Sequence, residues 1–165
     1  MSYFTFIVSD TPLKDVINNH ITYLSVNEAL SKGIAVSDIV LNSETIDRDK
    51  PGVLLYIEDE EKLNEITIQK IDKDLLDSEI PIALKYVSTL EWVCNKERAK
   101  QLVSYIKEHL KKSEIIEVWH IWLGNSKYDD ATIKKHIDIS NLLPTDFEEM
   151  FTNNSIDEYS IKITR

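Results

Sequence analysis

The run Glu114-Ile-Ile-Glu-Val-Trp-His-Ile-Trp-Leu-Gly124 narrows the possible folds more than any other segment. From Ile115 to Leu123 nearly every side chain is apolar, and β-branched and aromatic residues dominate, the composition of a strand. Strand side chains alternate between faces, so Trp119 falls with Ile115, Ile121 and Leu123. Trp122 falls with Ile116, Val118 and His120. A strand apolar on both faces must be covered on both, which predicts a place in the middle of a sheet.

The flanking segments supply partners for it. Tyr3–Val8 and Val53–Ile57 read as strands, and Glu65–Ile71 reads as a weaker edge strand with Ile66 and Ile68 on one side. Ser25-Val-Asn-Glu28 is a capping box in front of a short helix that Gly33 ends. Leu84–Cys94 alternates, with Leu84, Tyr86, Leu90, Trp92 and Cys94 on one face. Asn95 is placed to cap a helix in which Ala99, Leu102, Val103, Ile106 and Leu110 recur at helical spacing. Thr132–Ile139 reads as a strand and Thr145–Glu148 as a second capping box, and Tyr159–Thr164 alternates as a last strand. A single helical turn is expected in 74–80 and a polar turn in 124–130.

Residues 84–164 therefore spell strand, helix, strand, strand, helix, strand. The predicted class is α+β, a mostly antiparallel sheet with helices and a C-terminal half in ferredoxin-like βαββαβ order. In that topology the second strand lies at an edge, yet 114–123 is the most doubly apolar strand of the chain. The expected resolution is that N-terminal strands pair beside it and extend or cover the sheet within one domain, 1–165. At 165 residues the chain can bury a sizeable core without disulfides, and its lone Cys94 has no internal partner. The N-terminus lacks a basic, long apolar leader and no run approaches a membrane span, so a cytoplasmic chain without membrane association is expected.

The net charge of −10 is unevenly spread. Residues 1–80 hold 16 acidic and 7 basic side chains, residues 81–165 hold 13 and 12. Such a balance disfavours nucleic-acid binding, where cations must neutralise phosphates. It suits a solvated acidic face or a surface for a basic partner, with Glu58, Asp59, Glu60 and Glu61 as the candidate contacts.

No catalytic motif stands out. His120 is the leading candidate acid, base or ligand, set against the alternative of a packed strand histidine. If 114–123 and 132–139 form a hairpin of equal parity, His120, Trp122, Lys134, His136 and Asp138 share a face and make a polar-aromatic site. A register shifted by one turns His120 toward Ile133 and Ile137. Two histidines fall short of a zinc set, so neither metal nor cofactor is expected. Asp47, Asp49, Gly52 and Glu58 imitate a calcium loop, but Pro51 stands where an oxygen ligand is needed and a strand follows. Cys94 reads as a small buried residue, and the isolated glycines make no phosphate loop.

The runs Tyr3-Phe-Thr-Phe-Ile-Val-Ser-Asp10, Leu24-Ser-Val-Asn-Glu-Ala-Leu30, Asp47-Arg-Asp-Lys-Pro-Gly52 and Val118-Trp-His-Ile-Trp-Leu-Gly124 resemble a group of small acidic bacterial proteins without a known activity. The resemblance implies a bacterial, cytoplasmic setting and one intact domain, and assigns no site. Three functions follow as expectations. The first is a non-enzymatic acidic module, immunity-type or regulatory, that binds a basic protein. The second is a small enzyme or ligand binder around His120, and the third a structural homo-oligomer.

Overall fold

In the computed structural model of the chain, residues 3–72, 83–122, 133–152 and 159–165 are described. They form two compact units, one comprising residues 1–17 and 64–165, the other residues 18–63. The first is an α+β unit built on a six-stranded sheet. Strand β6, Ile115–Trp122, lies inside that sheet between β1, Tyr3–Ser9, and β8, Tyr159–Thr164. On the far side of β1 comes β5, Tyr86–Glu91, then β4, Thr67–Ile71, at the edge. Beyond β8 the described sheet ends in β7, Lys135–Asp138. All pairs are antiparallel except β7 with β8.

β6 is buried on both faces, as its composition predicts. Ile116 and Val118 face one side at 0% exposure, while Trp119 and Ile121 face the other at 4% and 1%. At roughly 1.5–3 kcal/mol per buried large apolar side chain, a strand that fills both faces fixes its own position. An N-terminal strand does pair beside it: Phe6 lies opposite Trp119 and Ile7 opposite Val118. β5 is also doubly packed, with Leu90 in one core and Val87 in the other.

Helix α3, Lys96–His109, covers the face that carries Ile7, Ile116 and Val118. Its apolar stripe, Ala99, Leu102, Val103 and Ile106, is buried there. Asn95 caps it, its side-chain oxygen accepting from the Arg98 amide at 2.9 Å. At the other end the Arg165 guanidinium donates to the carbonyls of Leu110, at 2.7 Å, and Lys111, satisfying acceptors that a helix terminus leaves open.

Helix α4, Pro144–Thr152, starts earlier than the sequence pattern suggests. Its N-terminus is fixed by Asp146, whose carboxylate accepts from the Leu143 amide at 2.8 Å, and Thr145 is exposed. Proline at the first helical position costs no hydrogen bond, so the start moves to Pro144 and the Thr145–Glu148 box is not used. Asp146 also meets Lys135 of β7 at 2.6 Å.

A larger departure concerns β6 and β7, which do not form a hairpin. β8 lies between them, paired antiparallel to β6 and parallel to β7. A parallel neighbour needs a crossover, and α4 supplies it between β7 and β8. Among the described residues of 86–164 the strands and α-helices nevertheless follow in the order strand, helix, strand, strand, helix, strand.

The second unit is small. Two three-residue strands, β2, Thr22–Leu24, and β3, Leu54–Tyr56, pair antiparallel. Helix α1, Val26–Ser31, carries the predicted capping box: Glu28 N donates to Ser25 Oγ at 3.1 Å, and Ser25 N to Glu28 Oε2 at 2.7 Å. Gly33 follows at φ 72°, a conformation that glycine adopts without a steric penalty. Helix α2, Asp38–Leu41, is a single turn. Buried Asn18 joins the unit's two ends, its amide donating to the carbonyls of Lys62 at 2.8 Å and Leu63 at 3.2 Å. The turn expected in 74–80 and that in 124–130 lie outside the described residues.

Candidate functional site

His120 sits on β6 with Thr5 of β1 opposite on one side and Tyr159 of β8 on the other. Its Nδ1 lies 3.0 Å from Thr5 Oγ1, and the ring is half-buried. Burial lowers its pKa, so the imidazole is neutral near pH 7. A hydroxyl beside a neutral imidazole is the beginning of a nucleophile–base pair. Thr5, however, is itself buried, so its oxygen is closed to an incoming carbonyl or phosphorus.

Of the companions proposed for His120, Trp122 shares its face by strand alternation, whereas those around β7 fall elsewhere. Cross-strand partners share a face, and β8 sets the register: His120 is opposite Tyr159, whereas His136 is opposite Lys162. Tyr159 and Lys162 are an odd number of residues apart, which puts His120 and His136 on opposite faces. Both hairpin registers considered from the sequence are therefore superseded, because β8 occupies the place next to β6. His136 is exposed. Lys134 is exposed too, its amide donating to the Ser160 carbonyl at 3.1 Å and hydroxyl at 3.2 Å. Asp138 caps the turn Ile139–Asn141, accepting from the Ser140 amide at 2.8 Å and hydroxyl at 2.5 Å. Those bonds, both to Oδ1, hold its carboxyl below the usual range. The Trp122 backbone pairs opposite Tyr3.

The four acids singled out as partner contacts lie in the second unit and are open to solvent. Glu58, Asp59, Glu60 and Glu61 are all exposed, and Asp59 Oδ1 accepts from the Glu61 amide at 3.0 Å at the start of the turn Glu60–Lys62. Asp47 and Asp49, the other acids of the apparent calcium loop, are exposed as well, with Asp49 taking a bond from Asn27 at 2.7 Å. Among the described residues no three His, Cys, Asp or Glu side chains converge as a metal site, and no helix is long and apolar enough to cross a membrane.

Polar clusters that the sequence pattern does not reveal lie in the first unit. Ser9 and Ser113 exchange a hydroxyl bond at 2.9 Å, and Asp10 accepts from Ser113 Oγ and, at 3.0 Å, from the Glu114 amide. Burial pushes the Asp10 carboxyl up, but these hydrogen bonds outweigh it and leave the group below its ordinary value. Glu117 accepts from Trp119 Nε1 at 3.1 Å and lies 3.8 Å from Lys162. The contacts of Ser9 and Asp10 with Ser113 and of Glu117 with Lys162 join strand ends or neighbours across the sheet and have no signal in sequence spacing. Glu117 and Trp119, by contrast, are two residues apart on one face of β6. Cys94 is half-buried against the main core, and burial, with Glu148 adding to it, pushes its thiol up to about 11. It is a thiol, not a thiolate, near neutral pH.

Comparison with known proteins returned no matching family model, curated protein or solved structure.

Proposed function

We propose that the protein is a non-enzymatic interaction module that binds a basic protein, as an immunity-type or regulatory binder does, through its second unit. The chemistry of residues 18–63 carries the reading. They hold nine Asp and Glu against four Lys and Arg, and all nine carboxylates are exposed. The same unit presents a cross-strand apolar pair, Tyr23 and Leu55, exposed at 64% and 51%. Interfaces commonly join an aromatic or aliphatic contact to a polar surround, and a field of one sign speeds encounter with a partner of the other. Glu58 to Glu61 are the charges placed to do this, since they are four consecutive exposed carboxylates.

The reading predicts salt-sensitive capture. At about 50 mM salt, where the Debye length exceeds ~10 Å and exposed charges are only weakly screened, the chain should retain a basic protein from native lysate. The combined change Glu58→Gln, Asp59→Asn, Glu60→Gln and Glu61→Gln should reduce that retention at least about tenfold. If low salt retains no protein, the reading is wrong. A catalytic role for His120 lacks comparable support, because Thr5 is closed off and His136 faces away. A structural homo-oligomer would instead show a mass above one chain in light scattering.

A further inference from the structure

The segment Asp10–Ile17 reaches the outer edge of β4 at Asp15 and Val16. Val16 and Ile68 exchange both backbone hydrogen bonds, at 2.8 and 2.9 Å, and the Lys70 amide donates to Asp15 Oδ1 at 3.0 Å. The outward donors of an edge strand are thereby occupied. The segment packs Leu13 and Val16 against the core that α3 covers, and is hydrogen-bonded to α3 at Lys14. Tyr105 Oη donates to the Lys14 carbonyl at 2.8 Å, and the Lys14 amide donates to His109 Nε2 at 3.1 Å.

These partners fix the imidazole's protonation. Nδ1 lies 2.9 Å from the Tyr105 carbonyl, which can only accept, so Nδ1 carries the proton. Nε2 faces a backbone N–H, which can only donate, so it must be bare. A second proton there would set two N–H groups against each other. On α3 the Tyr105 ring lies 4.1 Å from that of His109 and the Glu108 carboxylate interacts with the imidazole, and from the segment the Lys14 amide meets it. Burial, and then Asp15, push the Tyr105 hydroxyl up, so it stays a donor wherever imidazoles titrate.

We propose that His109 is a proton-operated latch: a proton taken up at Nε2 releases the Lys14 amide, loosens Asp10–Ile17 from α3 and uncovers the backbone donors of Ile68 and Lys70. The bond lies at the protein surface, so the proton reaches it without unfolding.

Amide hydrogen exchange on the full chain tests this, with protection expressed relative to an unstructured chain at about pH 8 and about pH 5, either side of imidazole titration. Protection of Lys14 should fall about tenfold at the lower pH, the scale of one lost hydrogen bond, with Ile68 and Lys70 following. Ile116, in the sheet interior, should keep its protection. His109→Gln offers an oxygen that does not titrate and should hold Lys14 protected at both values; His109→Phe should leave it unprotected at both. Equal protection of wild-type Lys14 at the two values overturns the latch, as does an undiminished fall in His109→Gln. Ring nitrogen shifts of the unaltered protein provide a check that needs no variant: a proton on Nε2 at pH 8 also overturns it.

Discussion

A carboxylate inside a sheet is costly unless its oxygens are occupied, and Glu117 shows both oxygens in use. It is 8% exposed, with Trp119 Nε1 on one oxygen and Lys162 near the other. Glu117→Ala strands a buried indole N–H as well as removing the charge, so a loss of about 2–4 kcal/mol is expected in urea denaturation. Glu117→Gln keeps an acceptor for the indole and should cost about half as much. Equal losses in the two variants would mean that the indole bond contributes nothing. His120 gives a pH dependence whose sign is fixed. Its folded pKa lies below the ordinary 6.5, so between the two values the unfolded chain binds more protons than the folded one. Stability therefore rises with pH across that window, is complete above about 6.5, and is lost as pH falls through the folded value. Urea midpoints at about pH 7.5 and 5 should differ more for the wild type than for His120→Gln. The alternation of β6 already puts His120 with Ile116 and Val118. Its bond to Thr5 was not legible, because that depends on the register of a strand far away in the chain.

At the level of elements, the caps are the parts with the clearest price in stability. Asn95→Ala should cost about 1 kcal/mol by thermal or chemical unfolding, while Asn95→Asp, which keeps the acceptor, should be close to neutral. Asp146 both fixes the start of α4 and binds Lys135, so Asp146→Ala should cost more than Asn95→Ala, about 2–3 kcal/mol. If the order of the two is reversed, Asp146 is not the anchor of α4. The Ser25–Glu28 box, the Asn95 cap and the stripe of α3 could all be read from spacing, because local hydrogen bonding and helical periodicity act within a few residues. The Thr145–Glu148 box could not be trusted on the same ground, since Pro144 and Asp146 offer a competing start two residues earlier. Sheet neighbours were the least legible. Adjacent strands in sequence usually pair, but β8 fits between β6 and β7 because Ile161 and Ile163 have no polar alternative to burial. β2 escaped notice because it is three residues long with two of them exposed.

Across the whole molecule the two units differ in how much they bury. Leu24, Val26 and Ala29 are the buried apolar side chains of residues 18–63, against a core of sixteen in the main cluster of the other unit. So small a core supports little independent stability. Amides of β2 and β3 should therefore exchange sooner than those of β1 and β6; equal protection would contradict this. Because Val16 and Ile68 are directly paired, a short Gly/Ser link in place of 18–63 has little distance to span. The shortened chain should unfold cooperatively with the helix and strand signature of the larger unit, and should no longer retain a basic partner from lysate.

β1 has a history that its final position conceals. It leaves the ribosome before β5 and β6, the strands on either side of it. Until Glu91 and then Trp122 have been made, Phe6, Ile7 and Val8 have no native sheet to join. Long-range pairing of this kind slows folding and prolongs the exposure of adhesive backbone and side chains. During synthesis β1 is therefore the strand that waits longest for its sheet partners.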